Sequence, residues 1–131
     1  GASVRSKFLH TFKKYVSFHS VETWIDEYRD IWPTGIKTRG RLVKGDKKGC
    51  LKKMKAFLKE NPGAIKEDIL DAARVYVFER KRNGYKALSG ADYFIEKQGA
   101  SLLAAHLEDI EGREKVLAQI NGGSSSFHKE I

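Results

Sequence analysis

The chain has 131 residues, enough for one compact domain with a real core and too few for two comfortable ones. Apolar residues make up 40% and charged residues 32%, and Phe 7, Tyr 5 and Trp 2 exclude a disordered composition. A single cysteine, Cys50, excludes an internal disulfide framework and, with four histidines, a cysteine-based zinc site; no apolar run reaches the ~18 residues of a membrane span, and a net charge of +8 points to an anionic partner.

Phe8, Phe12 and Tyr15, spaced i, i+4, i+7 with Leu9 and Val16 beside them, predict a first helix over Val4–Phe18. Ser20 can cap a second helix that ends near Trp32, because Pro33 disfavours helical backbone in the residue before it. Residues 33–46 hold Pro33, Gly35, Gly40 and Gly45 and predict a long, mobile, basic loop. Asp46 caps a third helix over about 47–60, stopped by Asn61-Pro62-Gly63. A fourth, from about Ile65 to Arg82, ends at Asn83-Gly84. Its apolar residues, from Ile69 and Leu70 through Val75, Tyr76, Val77 and Phe78, cover most of the circumference and make it the expected central helix. Ser89 with Asp92 forms a capping box for a short helix through Tyr93, Phe94 and Ile95. Ser101 caps another through Leu102, Leu103, Leu107 and Ile110, extended past Gly112 by Val116, Leu117 and Ile120. Gly122-Gly123-Ser124-Ser125-Ser126 then begins a flexible tail. There is no alternating strand pattern and no internal repeat. The expected fold is all-α: a compact bundle of five to seven helices around a central apolar helix, with a long basic Gly-containing loop. One domain spans residues 1–120, and the tail spans 121–131.

Along the chain the charge is +4 over residues 1–19, −3 over 20–36, +9 over 37–59 and −2 over 60–131, so one block exceeds the whole net charge. Within it, Lys48, Lys52, Lys55 and Lys59 fall at i, i+4, i+7, i+11, roughly opposite an apolar face of Cys50, Leu51, Met54, Phe57 and Leu58. Like charges at this spacing repel by a few tenths of a kcal/mol per pair. A polyanion reverses that cost, because each phosphate contact releases condensed counterions. The plain alternative is a solvated face. Arg39 and Arg41 flank Gly40, and arginine can fork onto phosphate or onto a guanine edge. The expected nucleic-acid-binding set is therefore Lys37, Arg39, Arg41, Lys44, Lys47, Lys48, Lys52, Lys55 and Lys59. A secondary basic cluster, Arg80, Lys81, Arg82 and Lys86, surrounds Asn83-Gly84, where a helix C-terminus favours cations by its dipole alone. Tyr85 beside it reads as a packed edge residue. A helix-turn-helix reading of the third and fourth helices fares poorly, since Glu67, Asp68 and Asp71 at the second N-terminus would repel phosphates.

Other signals fail. Gly40 to Lys47 has the outline of a phosphate loop, but Asp46 and Lys47 stand where Lys and Ser or Thr are required. His10, His19, His106 and His128 share no ligand spacing. Glu67, Asp68 and Asp71, or Glu108, Asp109 and Glu111, match solvated helix acids better than a nuclease metal site. Trp24, Tyr28 and Trp32, at i, i+4, i+8, read as a core seam, and Cys50 reads as core rather than nucleophile. No catalytic residue, metal or cofactor is expected.

Tyr28-Arg29-Asp30-Ile31-Trp32-Pro33, a Gly/Lys-rich loop, a basic helix, an Ile69-Leu70…Tyr76 helix, Ala91-Asp92-Tyr93-Phe94-Ile95 and Ser101-Leu102-Leu103-Ala104 follow one another over roughly residues 20–110. As a whole this pattern resembles small helical modules of bacteriophage and mobile-element proteins, including the C-terminal tails of some replication-initiation and helicase-loading proteins. The chain departs from them in its longer Arg/Gly loop and its additional N-terminal helix. The resemblance implies DNA binding in a phage or bacterial setting. The expectation is thus a non-enzymatic DNA-binding domain of a phage or mobile-element replication or regulatory protein. Its ligand would be double- or single-stranded DNA, with RNA a further candidate and a replication or transcription protein a further partner. No membrane association is expected, and the expected location is the bacterial cytoplasm or nucleoid. The alternative is a protein-interaction module, of phage inhibitor or adaptor type, that turns the same basic face to an acidic protein. A nuclease ranks third.

Overall fold

The computed structural model describes residues 21–129, with side chains through Asn121. The helix expected over Val4–Phe18, the Ser20 cap and the side chains of His10, His19 and His128 lie outside the described residues. Within them are six helices and one small sheet: α1 (Val21–Arg29), β1 (Lys37–Thr38), β2 (Arg41–Leu42), α2 (Lys47–Glu60), α3 (Lys66–Arg82), α4 (Ala91–Ile95), α5 (Leu102–Glu108) and α6 (Ile110–Lys129). The mainly helical class matches the expectation. Among the described residues no helix is long and apolar enough to cross a membrane.

The helix ends follow local chemistry. Asp46 accepts the Gly49 N–H at 3.0 Å and opens α2, and the Asn61 backbone and side-chain amides both close on the Phe57 carbonyl just before Pro62. At the end of α3 the Tyr85 N–H bonds to the Arg80 carbonyl and the Gly84 N–H to that of Lys81, a Schellman closure that needs the left-handed backbone of Gly84 (φ 71°). Ser101 caps α5 by accepting the Ala104 N–H at 3.0 Å.

Val21, Trp24, Ile25 and Tyr28 turn one face of α1 inward onto α2, whose Cys50, Met54, Phe57 and Leu58 are buried in turn. The other flank of α2 packs on α4, while α3 packs on α5 and α6. The two halves share one core, in which Trp32 lies 5.0 Å from the Tyr28 ring, 5.6 Å from Phe94 and 6.4 Å from Tyr76. The aromatic seam expected of Trp24, Tyr28 and Trp32 is therefore core, each at most 2% exposed. Tyr85, half-buried, packs against the same cluster. Three of these aromatics also fasten the connection between α3 and α4. Tyr28 Oη donates to the Ala91 carbonyl (2.6 Å), Trp32 Nε1 to the Ser89 carbonyl (2.8 Å), and Tyr76 Oη accepts the Ser89 N–H (2.7 Å).

Three local expectations are corrected. Residues 33–46 are not a long mobile loop: they contain an antiparallel hairpin with Lys37 opposite Leu42 and Thr38 opposite Arg41. Its two-residue turn has positive φ at Arg39 (55°) and Gly40 (80°), the type I′ signature that matches strand twist. The hairpin is tied down by Thr38 Oγ1 to the Leu88 carbonyl (3.2 Å), the Ala91 N–H to the Val43 carbonyl (2.7 Å) and Arg29 Nη2 to the Gly45 carbonyl (2.8 Å). Second, the Ser89–Asp92 capping box does not form. Gly90 is the N-cap of α4, and Asp92 accepts its neighbour's N–H from Tyr93 and an arginine from the hairpin. Third, the helix after Ser101 breaks at Asp109, whose carboxylate accepts the Gly112 N–H (3.1 Å) and starts α6. A Cβ at Gly112 would overlap that carboxylate, and Arg113 closes α5 through the His106 and Leu107 carbonyls (2.7 and 3.0 Å). Backbone helix α6 also runs through the Gly/Ser stretch to Lys129, since extending an existing helix is far easier than nucleating one.

Cys50 is fully buried, and burial pushes its thiol up to about 12. Thiol reagents at pH 8 should therefore modify it only as fast as the domain unfolds. In the unfolded chain the thiol ionises from about 9.0, whereas in the native state it stays protonated until near 12. This group's share of stability therefore falls as pH rises across that window. Urea midpoints measured from pH 8 upward should decline more steeply for the parent chain than for Cys50→Ala.

Candidate nucleic-acid interface

The basic block between residues 37 and 59 is not left bare by the fold. Each acidic residue of the α1 segment meets a cation on another element. Glu22 pairs with Lys55, Asp26 with Lys47 (3.1 Å), Asp30 with Lys44 (3.4 Å), and Glu27 with Lys66 (3.4 Å) and Arg74 (3.9 Å). The Lys47 ammonium, with Arg29 adding to it, holds the Asp26 carboxyl below its ordinary range. The lysine row of α2 is thus interrupted at Lys55 by a carboxylate from a neighbouring helix.

The structure sorts the expected binding set into two groups. Arg41, Lys44, Lys47 and Lys55 carry carboxylate partners. Lys37 and Arg39 on the hairpin, and Lys48, Lys52 and Lys59 on α2, are exposed and have no ion-pair partner among the described residues. In the secondary cluster, Arg80 lies over the Tyr76 ring (5.5 Å) and Arg82 bonds Gln119 (3.2 Å), while Lys81 and Lys86 are exposed.

A feature absent from the sequence reading links the hairpin to α2. The half-buried Tyr93 ring has Arg41 at 4.6 Å from β2, Lys53 at 5.3 Å from α2, and Lys97 at 4.7 Å from the turn after α4. Cations at these distances are drawn to the negative face of an aromatic ring. Lys53 is further held by the Glu96 carboxylate (3.2 Å) and carbonyl (2.6 Å). The Gly99 N–H, with Lys53, keeps the Glu96 carboxyl below its ordinary range. Sequence reasoning missed Lys53 because it lies off the lysine row, and missed Tyr93 and Lys97 because a five-residue helix shows no usable periodicity. The available signal was the proximity of Tyr93 to two charged residues, Glu96 and Lys97.

Arg41 is held from behind by Asp92 (3.0 Å), a carboxylate only 8% exposed, which raises the guanidinium above its ordinary value. Arg41→Ala leaves that buried carboxylate with little beyond the Tyr93 N–H, and should cost about 1–3 kcal/mol in urea unfolding. Adding Asp92→Asn should recover part of the loss, since the uncompensated charge disappears. Arg41 is thus a structural cation as well as a surface one.

Among the described residues no group of three or more His, Cys, Asp or Glu side chains could hold a metal. His106 packs edge-on against Tyr76 and at a tilt against Phe94, each ring centroid at 5.6 Å. Comparisons with protein-family models, with curated proteins and with solved structures find no match to this chain.

Proposed function

We propose that this protein is a non-enzymatic nucleic-acid-binding domain, with DNA as its principal ligand, that grips the phosphate backbone through the hairpin and the exposed edge of α2. The observation that carries the reading is the asymmetry of charge pairing. The acids of α1 each meet a cation, yet Lys37, Arg39, Lys48, Lys52 and Lys59 keep theirs exposed and unpaired among the described residues. Helix-mounted lysines act as positioned point charges, and Arg39 adds a fork that can bridge phosphate oxygens. The setting is the one the pattern resemblance implies, DNA handling by a phage or mobile-element replication or regulatory protein.

Five phosphate contacts give a log–log slope of affinity against salt of about −4 to −5 on duplex DNA. A mobility-shift or anisotropy titration over several salt concentrations measures that slope directly. A slope near zero overturns the proposal.

A further inference from the structure

Between the hairpin and the connection leading into α4 lies a cleft of about 320 Å³. Buried Val43 and Leu88 line it together with Leu42, which is 53% exposed, and Tyr93. Every charged residue lining it is a cation: Arg39, Arg41 and Lys97. No carboxylate lines it among the described residues, and Asp92 is engaged from behind with Arg41. Of the four non-glycine residues with left-handed backbone among the described residues, Arg39 (φ 55°) and Ala87 (φ 57°) line it.

We propose that this cleft receives one unpaired nucleotide of a single-stranded segment, its base against Val43, Leu88 and Tyr93 and its phosphate on Arg39 and Lys97. This inference rests on the nucleic-acid reading above and specifies which form of nucleic acid the site takes. The volume, at the low end of ligand clefts (~300–1,000 Å³), suits a single nucleotide unit and has no room for a duplex. Apolar walls with a cationic rim match the two halves of single-strand recognition: apolar contact for the base and charge for the backbone. An acidic peptide would use the rim but leave the apolar floor without a partner. The wall also says what the cleft does not read. The Ser89 N–H and the Leu88 and Ser89 carbonyls are already bonded to Tyr76, Thr38 and Trp32, so few backbone groups remain to select a base edge. Base preference should be slight.

The test is fluorescence anisotropy on the full chain, with a labelled oligothymidylate and a blunt mixed-sequence duplex of equal length at one moderate salt concentration. The parent should bind the single strand more tightly than the duplex. Tyr93→Leu should lower single-strand affinity about tenfold, and Lys97→Ala severalfold, with duplex affinity changed less than about twofold. Lys97 is exposed, so its variant keeps the test valid if Tyr93→Leu loses its fold. Lys48→Ala with Lys52→Ala should weaken both ligands alike. If the parent binds both ligands and Lys97→Ala leaves single-strand affinity unchanged, or lowers both affinities equally, the cleft proposal is overturned and the backbone reading stands. If the parent binds neither ligand, both fall.

Discussion

Replacing Lys48, Lys52 and Lys59 by alanine, together with Arg39→Asn, should lower DNA affinity on the order of 10³-fold at about 0.1 M salt and flatten the salt slope to about −1. Four of the five exposed cations between residues 37 and 59 that lack a carboxylate partner among the described residues are removed, and each contributes through the counterions it displaces. The choice of asparagine at position 39 separates binding from folding. Arg39 occupies the first position of a type I′ turn with φ 55°, and Asn-Gly is the preferred pair there. The variant should therefore melt at the same temperature as the parent or slightly above it, while binding collapses. Equal loss of melting temperature and affinity would instead make these residues structural. The matched control is Lys47→Ala with Lys55→Ala, which removes two cations already paired to Asp26 and Glu22 and should cost far less affinity.

Trp32→Ala should be the most damaging single change to stability, costing about 3–5 kcal/mol and lowering Tm on the order of 20 °C. For a domain with a total of ~5–15 kcal/mol, that brings it to the edge of unfolding. The ring is 1% exposed and sits among Tyr28, Tyr76 and Phe94, so its loss leaves a cavity lined by rigid aromatics that cannot collapse into it. Trp32→Phe separates packing from hydrogen bonding. It keeps most of the ring and leaves the Ser89 carbonyl without its indole donor, for about 1–2 kcal/mol. Differential scanning calorimetry on both variants checks the order. Equal effects would mean that the hydrogen bond, and not the packing, dominates.

What was legible in the sequence was what depends on neighbours along the chain. Asp46, Asn61-Pro62 and Asn83-Gly84 punctuate α2 and α3 at the expected places because caps act within one helical turn. The spacing of Cys50, Met54, Phe57 and Leu58 likewise marked a buried face. The hairpin was illegible because two-residue strands carry no alternation, and because an Arg-Gly turn lacks the usual Asn-Gly or Asp-Gly signal. Asp92 looked like half of a capping box. Its actual partner is Arg41, 51 residues earlier, and no local pattern foretells that. The lysine row was legible as a row. Its neutralisation at Lys55 was not, since Glu22 reaches it only once α1 has packed against α2. Charge partitioned by segment therefore overstated the bare cation surface, since the fold pairs Arg41, Lys44, Lys47, Lys53 and Lys55 with carboxylates.

The connection that Tyr28, Trp32 and Tyr76 fasten has a consequence for how the chain reaches its native state. Tyr28 meets Ala91 across 63 residues and Trp32 meets Ser89 across 57, so the contacts that lock the core are among the most distant in sequence. A helical domain is ordinarily a fast folder because its contacts are local. Here the ends of a long loop must meet before the aromatic cluster rewards them. The docking of α1 onto the segment ahead of α4 is therefore the expected slow step, and stopped-flow refolding should run slower than helix content alone would suggest.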